Sequence, residues 1–179
     1  MTTKLTTGNT TLAYSHLTEP VALMTGAEPK YGCCVLIDKS DKATLEKIKA
    51  AIETEKAAAT QTLWGGKVPA NFKSPLRDGD TDRPDAPEFA GKYFMNCSSR
   101  FKPGVFDRHL SPITDPGEVY SGMIARVSVN FYPYSVQGNK GIAVGLNGVQ
   151  KIADGDRMDG ANSANDFSEV DDDNDDYNF

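Results

Sequence analysis

The stretch between Ile124 and Tyr134 constrains the fold more than any other part of this sequence, because apolar and polar residues alternate there without a break. The apolar set consists of Ala125, Val127, Val129 and Phe131. The polar and aromatic set consists of Arg126, Ser128, Asn130, Tyr132 and Tyr134. A period of two residues predicts a half-buried β-strand, with the first set in the core and the second set on the outside.

A second strand is predicted directly after this one. The turn at residues 137–139 leads into the segment 140–152, where Ile142, Val144 and Leu146 alternate with smaller residues. The pair therefore predicts an antiparallel hairpin. Its outer face, with one arginine and two tyrosines, suits the stacking of a planar ligand, but β-strands also favour aromatic residues for their own sake. The hairpin alone leaves both interpretations open.

The charge of the chain is divided between two regions. Of 19 basic and 25 acidic residues, residues 153–179 contain one arginine and ten acids, a net charge of -9. The first 152 residues then hold 18 basic and 15 acidic residues, a net charge of +3. A mildly basic body is thus followed by a strongly acidic tail, whose Gly-, Asn- and Asp-rich start predicts disorder. A length of 179 residues suits one domain with such an appendage.

Several classes of protein are disfavoured by the sequence. No apolar run approaches the length of a membrane span, and the first fifteen residues are polar, so we expect a soluble intracellular protein. Cys33, Cys34 and Cys97 do not form a disulfide framework, and no zinc-binding pattern accompanies them. His16 and His109 each lack a partner at a catalytic or metal-binding spacing. We expect neither a cofactor nor a metal ion.

Three further strands are predicted. Residues 4–17 are rich in threonine and suit a first strand, and residues 30–37 form a short apolar run typical of a central strand. Residues 91–100 alternate with a period of two. Their outward set repeats the composition of the face that carries Arg126, and consists of Lys92, Phe94, Asn96, Ser98 and Arg100.

A single amphipathic helix is predicted after Ser40. Ser40 suits the N-cap, and Asp41 suits the positive end of the helix dipole. Leu45, Ile48 and Ile52 fall on one face of this helix, and charges of alternating sign occupy the opposite face. We expect the helix to cover one face or one end of the sheet.

Residues 61–88 form a long segment with four prolines and three glycines, which predicts a functional or disordered loop. The segment contains Trp64, the only tryptophan, followed by Lys67, Phe72, Lys73 and Arg77. Aromatic rings interleaved with cations are typical of a loop that closes over nucleic acid, since rings stack on bases and cations meet phosphates. A tryptophan that fills the core is an equally good interpretation of Trp64.

The same loop carries four closely spaced carboxylates, Asp78, Asp80, Asp82 and Asp85. Their spacing begins like a calcium-binding loop. However, Arg83 stands where such a loop requires glycine, and Phe89 stands where it requires glutamate, so we reject that site. A metal-dependent nuclease that uses these carboxylates is the enzymatic alternative, although it would need further acids converging from elsewhere in the chain.

The predicted elements indicate a mainly β fold. About five short strands, Gly-rich turns and a single helix suit a small antiparallel barrel. The oligonucleotide-binding barrel, or OB-fold, is the barrel of this kind whose sheet face and loops bind single-stranded nucleic acid. A β-sandwich is the second choice.

Short motifs along the chain resemble those of a known family. The motifs are EPKYG at 28–32, WGGKVP at 64–69, PLRDGD at 75–80, RPD at 83–85, GKYFMN at 91–96, KPG at 102–104, NFYPY at 130–134 and GNKGIAVGLNGVQK at 138–151. Taken together, they resemble the phage-encoded single-stranded-DNA-binding proteins. This resemblance covers residues 26–152, and the acidic tail resembles that of the family in type.

The resemblance implies a domain organisation and a function. It implies a five-stranded antiparallel Greek-key OB-fold domain over residues 1–152, with a long inserted loop, and a disordered acidic tail over residues 153–179. Such a protein would coat and protect single-stranded DNA during phage replication, recombination or repair, in the cytoplasm of the infected bacterial host, and would not be an enzyme. One feature departs from the usual barrel: the predicted helix follows the second strand and not the third.

The residues expected to bind DNA fall into two groups. The rings that would stack on bases are Trp64, Phe94, Phe101, Tyr132 and Tyr134. The cations that would meet phosphates are Lys67, Lys73, Arg77, Lys92, Arg100, Lys102, Arg108, Arg126 and Lys140. We expect no catalytic residue.

The acidic tail is expected to bind partners and to compete with DNA. A tethered polyanion can occupy a cationic groove because tethering raises its effective concentration. The resemblance further implies that the tail recruits a polymerase, helicase or primase through acids and a terminal aromatic residue, namely Asp171, Asp172, Asp173, Asp175, Asp176 and Phe179. A phage structural or protein-interaction module that binds no DNA is the remaining alternative.

Overall fold

The computed structural model describes residues 3–22, 25–136 and 138–158. Its strands are β1 (Thr3–Thr6), β2 (Thr10–Val21), β3 (Lys30–Asp38), β4 (Arg77–Asp78), β5 (Lys92–Ser99), β6 (Gly104–Phe106), β7 (Ile124–Val136) and β8 (Asn139–Ala153). Its helices are α1 (Lys42–Thr62) and the short α2 (Gly79–Asp82), with 3-10 turns at Pro87–Phe89 and Pro116–Glu118. No helix among the described residues is both long and apolar enough to cross a membrane.

Five of the strands close into a barrel. β2 pairs with β3, β3 with β5, β5 with β8, β8 with β7, and β7 returns to β2. Four of these pairings are antiparallel, whereas β5 and β8 run parallel and meet at Ser98 and Gly145. Counted over the five barrel strands, α1 follows the second, as the sequence predicts. β1, β4 and β6 are short additions beside β7, β5 and β8.

The hairpin predicted from alternation is confirmed as β7 and β8, which pair from Ile124 opposite Ala153 to Val136 opposite Asn139. The predicted inward residues of β7 lie in the core, with Val127, Val129 and Phe131 fully buried. One face of the longest ladder in the molecule therefore builds the interior, and the other face remains available for contacts outside the barrel.

The single first strand predicted over residues 4–17 is divided in the structure into β1 and β2. The chain leaves the regular ladder at Thr7, whose side-chain oxygen accepts a hydrogen bond from the Val127 N–H at 3.0 Å. Gly8 then turns toward α1, where its N–H donates to the Thr44 hydroxyl at 3.0 Å. The Thr7 N–H still donates to the Val127 carbonyl at 2.9 Å, and side-chain bonds are added to this last backbone bond, which strand periodicity alone does not predict.

The helix α1 packs its apolar face against the barrel interior, because Leu45, Ile48 and Ile52 are buried with the core residues of the strands. The predicted N-cap at Ser40 is wrong by one residue. Asp41 is the N-cap, and its carboxylate accepts a hydrogen bond from the Thr44 N–H at 3.2 Å. Ser40 instead bonds to Asp38 through both its N–H and its hydroxyl, which leaves Asp41 free to cap the helix.

Two hydrophobic clusters lie on opposite sides of the barrel wall. The larger cluster fills the interior under α1. The smaller one lies on the outer face and consists of Ala13, Cys34, Leu36, Phe89 and Phe94. The segment that carries α2 and the 3-10 turn at Pro87–Phe89 supplies Phe89, so this segment covers part of the outer face of β2, β3 and β5.

The first residues of the predicted linker, which the sequence places from residue 153 onward, are ordered in the structure. Ala153 is the last residue of β8, and residues 154–158, which we call the strap, pack against residues 120–122. Asp154 contacts the ammonium of Lys151 at 2.7 Å, and the Met158 N–H donates to the carbonyl of Ser121 at 2.9 Å. Residues 159–179, with all of the predicted partner-binding acids and Phe179, lie outside the described residues.

Burial has the largest single effect on the pKa of Lys151. It acts to lower this pKa, because burial favours the neutral amine. The carboxylates of Asp154 and Glu118 outweigh it and hold the pKa of Lys151 above its ordinary value. The lysine is only 8% exposed, so removing a partner would leave a buried charge with less compensation. The strap is therefore part of the folded body.

Candidate nucleic-acid interface

One row of residues crosses the outer face of all five barrel strands. His16 on β2 lies opposite Gly32 on β3, which lies opposite Ser98 on β5. Ser98 meets Gly145 on β8, which pairs with Asn130 on β7. The three central positions carry no side chain larger than that of serine. The middle of this sheet face is therefore shallow, and an extended polymer can approach the backbone there. We call this row of residues the floor.

A groove of about 640 Å³ follows this floor on the β5, β8 and β7 side. Tyr132 and Tyr134 line one side of it, Ala143 and Ile142 lie between them and β5, and Asn96 and Ser98 line the far side. The side chain of Tyr134 passes close to Gly141. A β-carbon added at Gly141 would lie 2.8 Å from the Tyr134 hydroxyl, so glycine leaves the space that this side chain needs. The two rings of the alternating stretch are therefore placed at the groove, as residue spacing predicts.

The loop of residues 71–77 forms the cationic wall of the groove. Lys73 and Arg77 line the groove, and both are exposed. The loop is held against β8 because the Lys73 carbonyl accepts a hydrogen bond from the Ile142 N–H at 3.3 Å. Asn71 donates from its side chain to the Gly138 carbonyl at 3.1 Å, beside the turn of the hairpin. Cations from the loop and rings from the hairpin thus face one space.

Arg77 and Arg83 lie over the ring of Phe94, with guanidinium carbons 5.1 and 5.9 Å from the ring centroid. Stacking on an aromatic face orients a guanidinium while leaving its N–H groups available. Arg77 also contacts Asp82 at 2.9 Å. Arg83 was not among the predicted DNA contacts, because its only neighbours in sequence are turn residues and its position over Phe94 arises from folding.

Phe94 itself is not available for base stacking, which corrects the prediction. Its ring is only 1% exposed and packs edge-to-face on Phe89 at a centroid distance of 4.9 Å. Alternation correctly placed Phe94 on the outer face of β5, but Phe89 and the two arginines cover that position. Its contribution to the interface is to support the arginines.

Trp64 fills the core, which is the second of the two interpretations that the sequence left open. Its ring is 5% exposed and packs edge-to-face on Phe72 at 5.7 Å. The indole N–H donates to the carbonyl of Tyr134 at 3.3 Å. Trp64 is therefore removed from the set of stacking rings, and it supports the β7 backbone beneath the groove.

Three predicted residues follow directly after β5. Arg100 lies two residues beyond Ser98, and Phe101 is 80% exposed. Arg100 contacts Glu28 at 3.3 Å, in an ion pair whose side chains are both largely exposed. Lys102 lines a separate cavity beside β2. Arg100 and Phe101 therefore extend the floor beyond the end of β5 opposite to the end that Arg77 covers.

The other predicted cations lie in different surroundings. Lys92 contacts Asp38 at 3.2 Å. Arg108 lines a cavity with acidic neighbours on the β6 side. Arg126 donates to the Thr7 carbonyl at 3.3 Å and lies about 20 Å along β7 from Tyr132, at 3.3 Å per residue. None of these three cations lines the groove, and neither do Lys67, which is exposed in the loop after Trp64, and Lys140, which is half-buried at the end of the hairpin.

The carboxylates of the predicted nuclease alternative act as structural contacts in this fold. Asp78 and Asp80 both contact the ammonium of Lys39, at 2.9 and 2.7 Å. Hydrogen bonds from Lys39 are the main cause that lowers the pKa of both carboxyl groups. Asp80 also accepts from the Gly91 N–H at 3.0 Å. Over residues 3–22, 25–136 and 138–158, no three acidic, histidine or cysteine side chains converge as metal ligands.

A second cavity, of about 280 Å³, lies at the β2 and β3 side of the same face. It is lined by Tyr14, His16, Cys33, Cys34, Asn96, Cys97 and Ser98. Asn96 and Ser98 also line the main groove, so the two spaces share β5. In the sequence, Tyr14 falls within the predicted first strand, and His16 lacks a partner at a catalytic or metal-binding spacing. No local signal placed either residue at this face.

The chain matches known proteins over nearly its whole length. A family model described as "Enterobacter phage Enc34, ssDNA-binding protein" matches residues 3–178. "Putative protein p50" of Acyrthosiphon pisum secondary endosymbiont phage 1 is 34% identical over 173 residues, which cover 90% of this chain and 89% of that relative.

Solved structures share the fold. The single-stranded DNA-binding protein from bacteriophage Enc34, in complex with ssDNA, is 25% identical and has a TM-score of 0.76, covering 87% of this chain and 89% of that chain. The single-stranded DNA-binding protein gp2.5 of bacteriophage T7 is 16% identical with a TM-score of 0.64, covering 94% of this chain and 97% of that chain, which indicates a common fold alone. The OB-fold predicted from the sequence is confirmed.

Proposed function

Because this chain belongs to the family of the Enterobacter phage Enc34 ssDNA-binding protein, we propose that it binds and coats single-stranded DNA of a phage without catalysing a reaction. The expected setting is phage replication, recombination or repair in the cytoplasm of the infected bacterium. The structurally similar Enc34 protein has been solved in complex with ssDNA.

The observation that carries this proposal is the groove between the hairpin tyrosines and the cationic loop. Tyr132 and Tyr134 provide rings on one side, and Lys73 and Arg77 provide positive charge on the other. Single strands are bound by this combination, because bases stack on aromatic rings while the backbone follows a positive surface. The small residues of the floor allow the strand to lie close to the sheet.

The proposed contact set is narrower than the set predicted from the sequence. Tyr132, Tyr134 and Phe101 supply rings, each contributing roughly 1–3 kcal/mol when a base stacks on it. The cations proposed to bind phosphates at the groove are Lys73 and Arg77, which line it, and Arg83, which shares the ring of Phe94 with Arg77. The cations proposed from the sequence outside the groove are Lys67, Arg100, Lys102 and Lys140. Affinity should fall as salt rises, and sequence preference should be slight.

We further propose that the acidic tail competes with DNA for this surface and recruits replication proteins. The last described contact of the tail supports competition, because the Met158 N–H donates to Ser121, whose hydroxyl in turn accepts from the N–H of Ser15 on β2 at 2.8 Å. Ser15 lies between Tyr14 and His16. The 21 residues that follow Met158 can span at most about 70 Å, enough to reach the groove from this point. Tethering gives the tail a local concentration on the order of millimolar.

The DNA-binding proposal is tested by fluorescence anisotropy of a labelled oligo-dT at two salt concentrations without metal. The full chain is compared with Tyr132→Ala and Tyr132→Phe. We expect salt-sensitive binding, a loss of about 5- to 100-fold for the alanine variant, and near-normal affinity for the phenylalanine variant, which keeps the ring. An absence of binding by the full chain would overturn the proposal and favour a protein-interaction module.

The tail proposal needs a truncation that leaves the body intact. A chain that ends at Ile152 would lose Asp154 from buried Lys151, so its instability would be confused with a tail effect. A chain that ends at Met158 keeps the whole strap. We expect this chain to bind oligo-dT more tightly than the full chain at low salt, with equal thermal stability. Unchanged affinity would contradict competition by the tail.

A further inference from the structure

Tyr14 has an unusual backbone conformation within β2. Its φ angle is 47°, a region that bulky residues rarely occupy. The register between β2 and β3 shifts between Ala13 and His16, so the strand bulges at Tyr14. Bulges re-aim side chains next to functional sites, and strained residues persist where the surroundings fix them. The bulge turns Tyr14 to the outside, where its side chain is 63% exposed.

A comparison with Leu110 shows what is particular about Tyr14. Leu110 also has a positive φ angle, 68°, and is 67% exposed. It lies in a tight turn, in which its N–H donates to the Asp107 carbonyl at 3.0 Å and the Asp107 N–H donates to Ser111 at 2.9 Å. The turn accounts for the conformation of Leu110. Tyr14 is in the middle of a strand, where no turn requires such an angle.

The ring of Tyr14 is held at the edge of the second cavity. It stacks on Phe89 with a centroid distance of 6.1 Å and an interplanar angle of 22°. Its hydroxyl donates to Glu88 at 3.2 Å, and its carbonyl lies 3.0 Å from Nδ1 of His16. Both contacts of the ring and its hydroxyl come from the 3-10 turn Pro87–Phe89, and the His16 contact fixes the backbone of Tyr14. The ring is therefore oriented in advance, although most of its surface is open.

The cavity beside Tyr14 combines a ring with polar groups on its lining. Asn96 and Ser98 line it from β5, and His16 lines it from β2. Gly32 keeps it open, since a β-carbon there would lie 2.5 Å from the Cys97 carbonyl and 3.3 Å from Nε2 of His16. A flat, uncharged molecule with hydrogen-bonding edges suits a space with one aromatic side and amide, hydroxyl and imidazole groups around it.

We propose that this cavity binds one nucleobase of the DNA strand that lies in the main groove, with the base stacked on Tyr14 and its edge toward Asn96 and Ser98. The inference rests on the proposed function and extends the DNA path from β7 across the sheet to β2. The strand passes over Ser98, which lines both spaces. The phosphates stay outside, near Arg77 and Arg83.

The test compares Tyr14→Ala, Tyr14→Phe and the matched control Leu110→Ala, all in the full chain, which is the parent for the Tyr132 variants as well. Anisotropy with oligo-dT should show a loss of about 5- to 100-fold for Tyr14→Ala, as for the removal of one stacking ring elsewhere. Tyr14→Phe keeps the ring and should bind within about twofold of the parent chain. Leu110→Ala removes an exposed apolar side chain from another residue that has a positive φ angle, and it should not change the affinity for oligo-dT.

A position-resolved readout separates a base pocket from a general effect. A fluorescent base analogue, 2-aminopurine, is placed at successive positions of the oligo-dT, and its emission is recorded on binding. We expect one position at which emission changes with the parent chain and with Tyr14→Phe but not with Tyr14→Ala. Thermal melting of each variant, in the absence of DNA, checks that the fold is retained.

The outcomes of the two proposals are distinguishable. If the parent chain and Tyr132→Phe bind DNA and Tyr132→Ala is weakened, but Tyr14→Ala binds as the parent does, the base pocket is overturned and the DNA-binding function stands. If the parent chain does not bind oligo-dT, the function itself fails. A loss of affinity by Tyr14→Ala with no position-specific change in emission would also overturn the pocket.

Discussion

The outer face of the barrel has two halves that differ in what lies on them. The covered half holds the cluster of Ala13, Cys34, Leu36, Phe89 and Phe94, under the segment that carries α2. The open half is the floor of His16, Gly32, Ser98, Gly145 and Asn130, together with the groove beside it. β2, β3 and β5 contribute to both halves, whereas β7 and β8 contribute to the open half. The nature of their outward side chains decides whether the protein or a ligand covers each half.

This difference shows how a barrel of this size divides its surface between stability and binding. Large apolar side chains on the covered half are buried by the chain itself, which stabilises the fold. The small residues of the open half contribute little burial, but they leave space for a strand with rings and cations beside it. This division can be tested by removing a large side chain from the covered half and by adding one to the open half.

The largest expected effect is on stability when the covered half loses its central ring. Phe94→Ala removes a side chain that is 1% exposed and should lower the free energy of unfolding by about 3–5 kcal/mol. Phe101→Ala, at a position that is 80% exposed, serves as the control and should change it by less than about 0.5 kcal/mol. Urea denaturation measures both, and equal losses would contradict the division into two halves.

The next effect is on binding when the open half is filled. Ala143 lines the groove opposite Tyr132, so Ala143→Leu should obstruct the strand and weaken binding to oligo-dT by about 5- to 100-fold, with little change in stability. Ala50→Leu makes the same change on the exposed face of α1 and should leave affinity unaltered. Anisotropy at one salt concentration distinguishes them. Normal binding by Ala143→Leu would show that the strand does not cross this part of the sheet.

A smaller effect is expected at the boundary between the halves, where Arg77 and Arg83 stack on Phe94. Arg77→Gln should weaken binding and reduce the salt slope of the binding constant by about 0.7, the value for one phosphate contact on a single strand. Lys47→Gln removes the same charge from an exposed position on α1 and should preserve the slope. A salt titration that gives both variants the parent slope would remove Arg77 from the phosphate contacts.

The smallest effect concerns the ion pairs that fasten the covering segment. Lys39 lowers the pKa values of Asp78 and Asp80 below the ordinary value of 3.8. Their contribution to stability is therefore present above pH 3.8 and is lost as the pH falls through the lowered values. The melting temperatures of the parent and of Lys39→Met should differ at neutral pH. They should approach each other at pH values below the lowered pKa values of Asp78 and Asp80. A constant difference at all pH values would contradict this linkage.

The parts of the fold that were predictable from sequence depend on local periodicity. Alternation over β7 and β8 and the helical spacing of Leu45, Ile48 and Ile52 each arise within one element, so the core faces were assigned correctly. Tyr14 was missed because its bulge arises from pairing with β3, about twenty residues later in the chain. The division of the first strand at Thr7 depends on Val127, which is more distant still.

The sequence predicted the types of residue at the candidate site better than it predicted where those residues lie in the fold. Tyr132 and Tyr134 were expected on the outer face of a strand and Lys73 and Arg77 in the long loop, and folding brings these four residues to one groove. Phe94 was also outward, but a cover supplied by Phe89 cannot be read from alternation within β5. Likewise, a count of cations does not distinguish Arg77 from Arg126, because only the pairing of strands determines which outward positions are neighbours.

The pairing of β1 with β7 has a consequence for synthesis on the ribosome. Thr3 lies opposite Phe131, so β1 cannot pair with β7 until about 125 further residues have been translated. Barrel closure also needs β8, and the buried charge of Lys151 needs Asp154. A nascent chain released before residue 158 therefore exposes unpaired strands to proteases and to other chains. Cells that translate this message are expected to accumulate the full-length protein and few stable fragments of it.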